Sequence, residues 1–532
     1  MAVFKRRWFM WDFARQRSFD RKEFSMVATK LSELGFNGIG LYLEGAFELK
    51  SIGGGILRDG VMTREDAVWV KELCKSLGIK VFPMTNVVGH MEHFLRQERF
   101  RHLCPDESLY KLDFKRPEAE EFALKIVYDY VEAFDTDYIH IGGDEVPLTE
   151  ESRPVYAKFL SNICDKLLAD GITPGIWNDM LWHHKELCEP FDRKVEIFDW
   201  WYNGHRPESI KFFREQGFDI VIPCASDNSW IGFTSHQMIR PWNPHENQTP
   251  VTPDEIEAFL SDIIVEGDAD NLMGLHTHWE DTMGRDLWGQ WTVFARSGLF
   301  MAGKYDKETC NDEMLEKAIF GRVTPYTEIM HVIQNEIHTL WAHPCHGILY
   351  REFMFVKNAY TNIIKNISRE KPDVAVKAEA AVAKIEALLK TWTAEGEFEE
   401  RCRAYLVSIA ALIKADFAVY GAFEAKNIYR EAANIQFTDN AKAKELTLKF
   451  ADGFSRAAEL TKEYIPTLRA FVDLVPTHTA TDFIKLERNL QYTENMADTI
   501  KGFALSDSFE RIPLPALECV VDKALNGNVI ER

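Results

Sequence analysis

The heptapeptide His140-Ile141-Gly142-Gly143-Asp144-Glu145-Val146 sets two adjacent carboxylates directly after two glycines. Glycines at a strand end let the backbone turn tightly and let a ligand approach closely. On a regular strand Asp144 and Glu145 point to opposite faces, so a turn is needed to aim both at one pocket. Two neighbouring carboxyls do not ionise together easily, and one keeps its proton near neutral pH. An acid beside a base is what glycoside hydrolysis requires. An exposed loop and a Mg²⁺ site are the other uses of such a Gly-Gly-Asp-Glu run. Tryptophans elsewhere favour a sugar, whose C–H faces stack on flat apolar rings while its hydroxyls seek Arg and carboxylate partners.

Other residues of the same chemical types recur at regular intervals. They are Asp12 with Arg15, Glu44, His90 with Glu92, His140, Trp177 with Asp179, and Asp199-Trp200-Trp201-Tyr202. Asp227 with Trp230 follows, and the series closes on His276, His278, Trp279, Glu280 and Asp281. One such residue alone reads as a solvated charge or a core aromatic. A whole series in step reads as a site.

The elements that must position them are strands alternating with helices. Phe9–Phe13 reads as a strand, and Phe24, Val27, Ala28, Leu31 and Leu34 then recur at helical spacing up to Gly35. NGIGLYLEG alternates as a second strand. Thr63 with Asp66 three residues on opens a helix that ends at Gly78. IKVFPM, YIHIGGDEV, TPGIWNDML, KVEIFDWWYN, DIVIPCASDNSW and NLMGLHTHWED read as the remaining strands. Helices are predicted over 117–131, 150–170, 208–217, 253–265 and 287–301, with a long connection over 85–116. Eight strand-then-helix units imply a parallel sheet closed into a (β/α)8 TIM barrel over 1–305, with an open doubly wound sheet as the rival. In such barrels functional groups gather at the C-terminal strand ends, where the residues above fall.

From about 310 glycine becomes sparse, and Ala/Glu/Lys/Leu-rich stretches predict helices over 326–342, 348–367, 371–392, 397–434, 438–464 and 480–503. The expectation is an all-α C-terminal domain over 306–532. The 532 residues carry 62 basic against 83 acidic side chains, and a net charge of −21 with no local basic patch argues against nucleic acid or an anionic membrane as partner. No apolar window is long enough to span a bilayer, and the first residues have no secretory-signal pattern. The nine cysteines are scattered and never spaced as CxxC, which argues against a disulfide frame and a structural zinc and favours a reducing, cytoplasmic setting. No metal and no cofactor is expected.

The run HIGGDE, the pattern Arg7-x₄-Asp12-x₂-Arg15 at the first strand, the pattern Pro83-x₅-Gly89-His90-x-Glu92 at the third and the Trp-bearing later strand ends resemble family 20 of the glycoside hydrolases, over roughly residues 5–305. These are exo-acting β-N-acetylhexosaminidases, and the small cytosolic type acting on N-acetylglucosaminides looks closest. The accessory domain that many members carry before the barrel is expected to be absent. LYLEG stands where many members have an Asp-rich second strand.

The resemblance implies substrate-assisted retaining hydrolysis, with the 2-acetamido oxygen as nucleophile. It assigns Asp144 to orient the acetamide and Glu145 to protonate the leaving oxygen and then deprotonate water. His90, His140 and Glu44 form a network behind Glu145, and Arg15 binds the sugar hydroxyls. Trp177, Trp279 and one of Trp200, Trp201 or Trp230 wall the acetamide pocket, with Asp179 among the pocket residues. Tyr202 is the candidate partner of the acetamide oxygen, and Glu280 or Asp281 takes a hydroxyl. The substrate is then a small glycan or glycoconjugate ending in N-acetylhexosamine. The C-terminal helices would complete the pocket, cover the barrel or make a homodimer.

Three rival functions fit parts of the same residue set. A metal-dependent barrel hydrolase could use His276-x-His278 with His183 and His184. A two-carboxylate retaining glycosidase would place its acid and nucleophile on separate strands. A non-catalytic sugar-binding protein would keep the tryptophans and Arg15 but would not need both Asp144 and Glu145.

Overall fold

A computed structural model describes residues 3–15, 17–53, 60–200, 207–218, 220–226, 272–280, 287–304, 311–337, 374–475 and 480–515. Its first part is a closed barrel of eight parallel strands paired in chain order, the last against the first. The strands are β1 (Arg6–Asp12), β2 (Gly38–Tyr42), β3 (Lys80–Met84), β4 (Tyr138–His140), β5 (Thr173–Trp177), β6 (Glu196–Trp200), β7 (Val221–Ser226) and β8 (Met273–His278). The (β/α)8 expectation holds.

Alternation along each strand separates two cores. Trp8, Met10, Tyr42, Phe82, Met84, Tyr138, Trp177, Phe198 and Leu275 fill the lumen. Phe9, Trp11, Ile39, Leu41, Val81 and Ile139 face the surrounding helices. The pairing register stacks the lumen in layers: Asp12 lies beside Tyr42, Tyr42 beside Met84, and Met84 beside His140. The lower lumen is closed by Arg6, whose guanidinium grips Glu196 at 2.5 and 2.9 Å, with the Tyr138 hydroxyl donating to the same carboxylate. Only the upper, C-terminal end of the lumen is left to carry polar chemistry.

Local rules set the helix ends. Thr63 and Asp66 form a reciprocal capping box before the helix Arg64–Ser76. The fourth strand is shorter than its sequence pattern predicts: it stops at His140 because Gly142 and Gly143 take φ of +75° and +96°. The connection 85–116 is built of two short turns, Glu92–Leu95 and Glu98–Leu103.

After the barrel the described residues are helical. The predicted helix over 397–434 is two, Gly396–Glu424 and Lys426–Ile435, and the one over 438–464 continues as Asn440–Leu474. Asp312–Phe320 is a helix with no counterpart among the predictions, and the segments 253–265 and 348–367 lie outside the described residues. The later helices pack on barrel residues, since Trp291 and Phe398 meet at 4.8 Å and Trp288 and Phe398 at 5.4 Å. Among the described residues no helix is long and apolar enough to cross a membrane.

Candidate active site

The turn after β4 does what two consecutive carboxylates demand. Gly142 has no room for a side chain, because a Cβ there would sit 1.4 Å from Asn86 Oδ1. Glu145 itself takes φ of +52°, and Glu44 after β2 and His90 after β3 take +41° and +52°. Three ionisable residues thus sit in the left-handed region, which side chains normally avoid and which recurs at functional sites. The turn is pinned from both sides. The Tyr156 hydroxyl donates to the Gly143 carbonyl, and the Glu145 N–H donates to Asp179 Oδ2 at 2.8 Å.

The result is a compact cluster. His90 Nε2 lies 3.5 Å from Asp144 Oδ2 and 3.3 Å from Glu145 Oε2. Burial by itself would lower the imidazole pKa, but the Asp144 charge and hydrogen bonds to both acids outweigh it and raise it to about 11. His90 is therefore an imidazolium bridging two acids. Asp144 is buried, and its Oδ1 has no hydrogen-bond partner among the described residues. Glu145 has half of its side chain exposed. One atom from each of the three residues falls within 4.8 Å of the others, the only such trio of ligand-type groups among the described residues. That spacing would also suit a cation, but here His90 serves the acids as a donor.

Tyr110 belongs to this cluster, and no sequence signal singled it out. Its hydroxyl donates to the Glu145 carbonyl at 3.1 Å and lies 3.2 Å from His90 Nε2. Bonds from Met91 N to Tyr110 O and from Leu112 N to Val88 O hold it beside β3. It comes from the long connection, where no periodicity marks one residue above another.

The expected network behind Glu145 is divided. His140 does not join it: the ring accepts from Gly142 N at Nδ1, packs edge-on to Trp177 and Phe198, and is held neutral by burial, with its pKa lowered to about 3. Glu44 bonds the Tyr42 hydroxyl at 2.5 Å and lies 3.3 Å from His93 Nδ1, in place of a contact with His90. Asn86 Nδ2 donates to the same Tyr42 hydroxyl at 2.7 Å. Burial raises the Glu44 pKa, against the pull of Arg15 and His90. Asp179 is also buried, and desolvation together with the Asp144 charge lifts its carboxyl to about 8.

Across the barrel mouth Arg15 reaches Asp12 Oδ2 at 2.8 Å and stands 4.7 Å over the Trp279 ring and 5.3 Å over Tyr42. Trp177 and Trp279 lie 6.1 Å apart at a tilt of 46°, forming a buried aromatic corner. Trp200 packs against the same lumen cluster, and its backbone N–H donates to Asn178 Oδ1. Glu280 departs from the expected placement. Its carboxylate is clasped by Arg17 at 2.8 and 2.9 Å and lies 3.1 Å from His278, on the outer side of β8. Trp201, Tyr202, Trp230 and Asp281 lie outside the described residues.

The His-x-His pair of β8 points the wrong way for a metal site at the mouth. His276 and His278 stack on Phe9 at 5.8 and 6.2 Å and meet Phe294 edge-on, between the sheet and a helix.

The model of the catalytic domain of glycosyl hydrolase family 20 matches residues 20–285, half of the chain. A beta-hexosaminidase of Akkermansia muciniphila is 23% identical over 223 residues, covering 36% of this chain and 43% of that protein. A lacto-N-biosidase of Bifidobacterium bifidum is 26% identical over 173 residues, covering 28% and 15%. The chain thus spans less than half the length of the curated relatives it matches. Among solved structures, an exo β-N-acetylglucosaminidase of Vibrio harveyi aligns with a TM-score of 0.46 at 16% identity, over 60% of this chain and 57% of that one. By the family match across the barrel, the chain belongs to glycosyl hydrolase family 20.

Proposed function

We propose that this protein is a glycoside hydrolase, an exo-acting β-N-acetylhexosaminidase that removes terminal N-acetylglucosamine by substrate-assisted retention. The observation that carries the reading is the placement of Asp144 and Glu145 on one turn, bridged by His90, with atoms of all three within 4.8 Å. A conventional retaining pair has its carboxyls on opposite sides of the scissile bond, about 5–5.5 Å apart, usually on separate elements. Adjacent acids joined through one imidazole suit a carboxylate that orients the acetamide beside a general acid, and this supports the substrate's own acetamide oxygen as nucleophile.

In this reading the acetamide N–H donates to the buried Oδ1 of Asp144, whose charge balances the oxazolinium ion as it forms. Glu145, half exposed, gives its proton to the leaving oxygen and takes one from the incoming water. Trp177 and Trp279 enclose the acetamide methyl, and Arg15 binds ring hydroxyls.

The test uses 4-nitrophenyl N-acetyl-β-glucosaminide, the matching β-glucoside, and a thiazoline analogue of the oxazolinium ion. The expected result is turnover of the first alone and inhibition by the analogue. Comparable hydrolysis of the plain glucoside, or indifference to the thiazoline, overturns the mechanism.

A further inference from the structure

A buried chain of charges runs from the C-terminal helices to the barrel mouth. Its inner end is Glu280, whose backbone N–H donates to Asp12 Oδ2 at 3.0 Å, the same oxygen that receives Arg15 at 2.8 Å. Arg17, whose side chain is fully buried, clasps the Glu280 carboxylate and reaches Glu23 at 2.8 Å. Glu23 accepts from the Trp288 indole at 3.0 Å and lies 3.6 Å from Arg401. Arg401 sits on the helix Gly396–Glu424, stands 5.5 Å over Trp288, and donates to Glu397 at 2.7 Å.

We infer that Arg401 is a positioning residue for the Arg15–Asp12 clamp, so that the helices after the barrel are part of the sugar-binding machinery. The inference rests on the function proposed above. Arg17 stands between the buried acids Glu23 and Glu280, and Arg401 is shared by Glu23 and Glu397. Removing Arg401 leaves Arg17 to satisfy two carboxylates with one guanidinium. Any shift of Arg17 toward Glu23 loosens Glu280, and the Glu280 peptide is a fixed donor to Asp12. Paired and hydrogen-bonded buried charges transmit such a loss, because the low local dielectric makes each orphaned group costly. Arg15 would then lose its register over Trp279 without any change at Asp144 or Glu145.

The experiment compares Arg401→Met, Arg401→Lys and Glu397→Gln with the wild type. Steady-state kinetics on 4-nitrophenyl N-acetyl-β-glucosaminide are paired with N-acetylglucosamine affinity from tryptophan fluorescence and with circular dichroism. R401M is expected to raise KM and weaken the sugar at least fivefold while kcat changes less than twofold, the split that lost uniform binding produces. R401K restores most of the affinity, and E397Q gives an intermediate loss. A folded R401M with wild-type KM and affinity overturns the inference. Should R401M not fold, E397Q decides, and wild-type behaviour there overturns it equally. Failure of the underlying function is read separately, as a wild type that neither turns over nor binds the sugar.

Discussion

The backbone N–H of Glu145 donates to Asp179 Oδ2 at 2.8 Å, so the acid at the end of β5 fixes the left-handed backbone of the acid after β4. Burial and the Asp144 charge raise the Asp179 carboxyl from 3.8 to about 8. The folded state therefore holds a proton that the unfolded chain gives up near pH 4. The stability this group contributes is fully present below pH 4 and is lost as pH rises toward 8. Asp179→Asn keeps the acceptor and copies the neutral form, so its melting temperature is expected to gain on the wild type steadily from pH 5 to pH 8. Parallel melting curves across that range would count against it. Asp179→Leu removes the acceptor and is expected to cost about 1–3 kcal/mol, with lower kcat.

His90 is the cation that lets two adjacent acids share one turn. Its pKa near 11 means that it stays charged throughout the working range. His90→Gln removes that charge and should lower kcat by about a hundredfold, the scale on which a fixed electrostatic donor acts. Because a fixed positive charge is removed from beside the two acids, the kcat/KM pH profile should change shape as well as amplitude. A profile that keeps its limbs while losing amplitude would assign His90 to packing alone. In stability the sign is the opposite of a depressed acid. The His90 contribution is complete below its unfolded value of about 6.5 and is lost as pH rises toward 11, a decline that H90Q should lack.

Gly142 is required twice over, by its φ of +75° and by the 1.4 Å approach a Cβ would make to Asn86 Oδ1. Gly142→Ala should therefore cost about 1–2 kcal/mol for the left-handed backbone and about 1–3 kcal/mol for overpacking. Asn86 also donates to Tyr42, so its displacement loosens Glu44 as well. Pairing G142A with Asn86→Ala should recover the overpacking part and leave the backbone part. Additive losses in urea denaturation would show that the two residues do not meet.

The barrel and its Gly-Gly-Asp-Glu turn were legible because they depend on local signals. Two glycines before Asp144-Glu145 and the period-two strands specify a turn at a strand end with little help from distant residues. Glu280 illustrates the limit. Its place in the chain suggests the pocket, but strand alternation aligns its side chain with His278 on the outer face, where Arg17 was 263 residues distant in sequence. Tyr110 and His93 were invisible for a related reason: they belong to a connection without periodicity, and only backbone pairing to Val88 and Met91 brings Tyr110 to the site. His140 faces the lumen by strand alternation with Tyr138, and there it packs on Trp177 and Phe198 and is kept neutral by burial.

Arg15 tests the far wall of the pocket. Its guanidinium bonds Asp12 Oδ2 at 2.8 Å while lying 4.7 Å over Trp279, a planar arrangement that an ammonium does not reproduce. Arg15→Lys keeps the charge, so the field at Glu44 is largely preserved, but the stacked, forked geometry toward sugar hydroxyls is lost. Under the proposed function such contacts would form equally with substrate and transition state. Their removal is therefore expected to raise KM about tenfold, or about 1.4 kcal/mol, with kcat nearly unchanged. The pH profile should keep its limbs, in contrast to H90Q. A fall in kcat as large as the rise in KM would place Arg15 closer to the reacting bond than its partners Asp12 and Trp279 indicate.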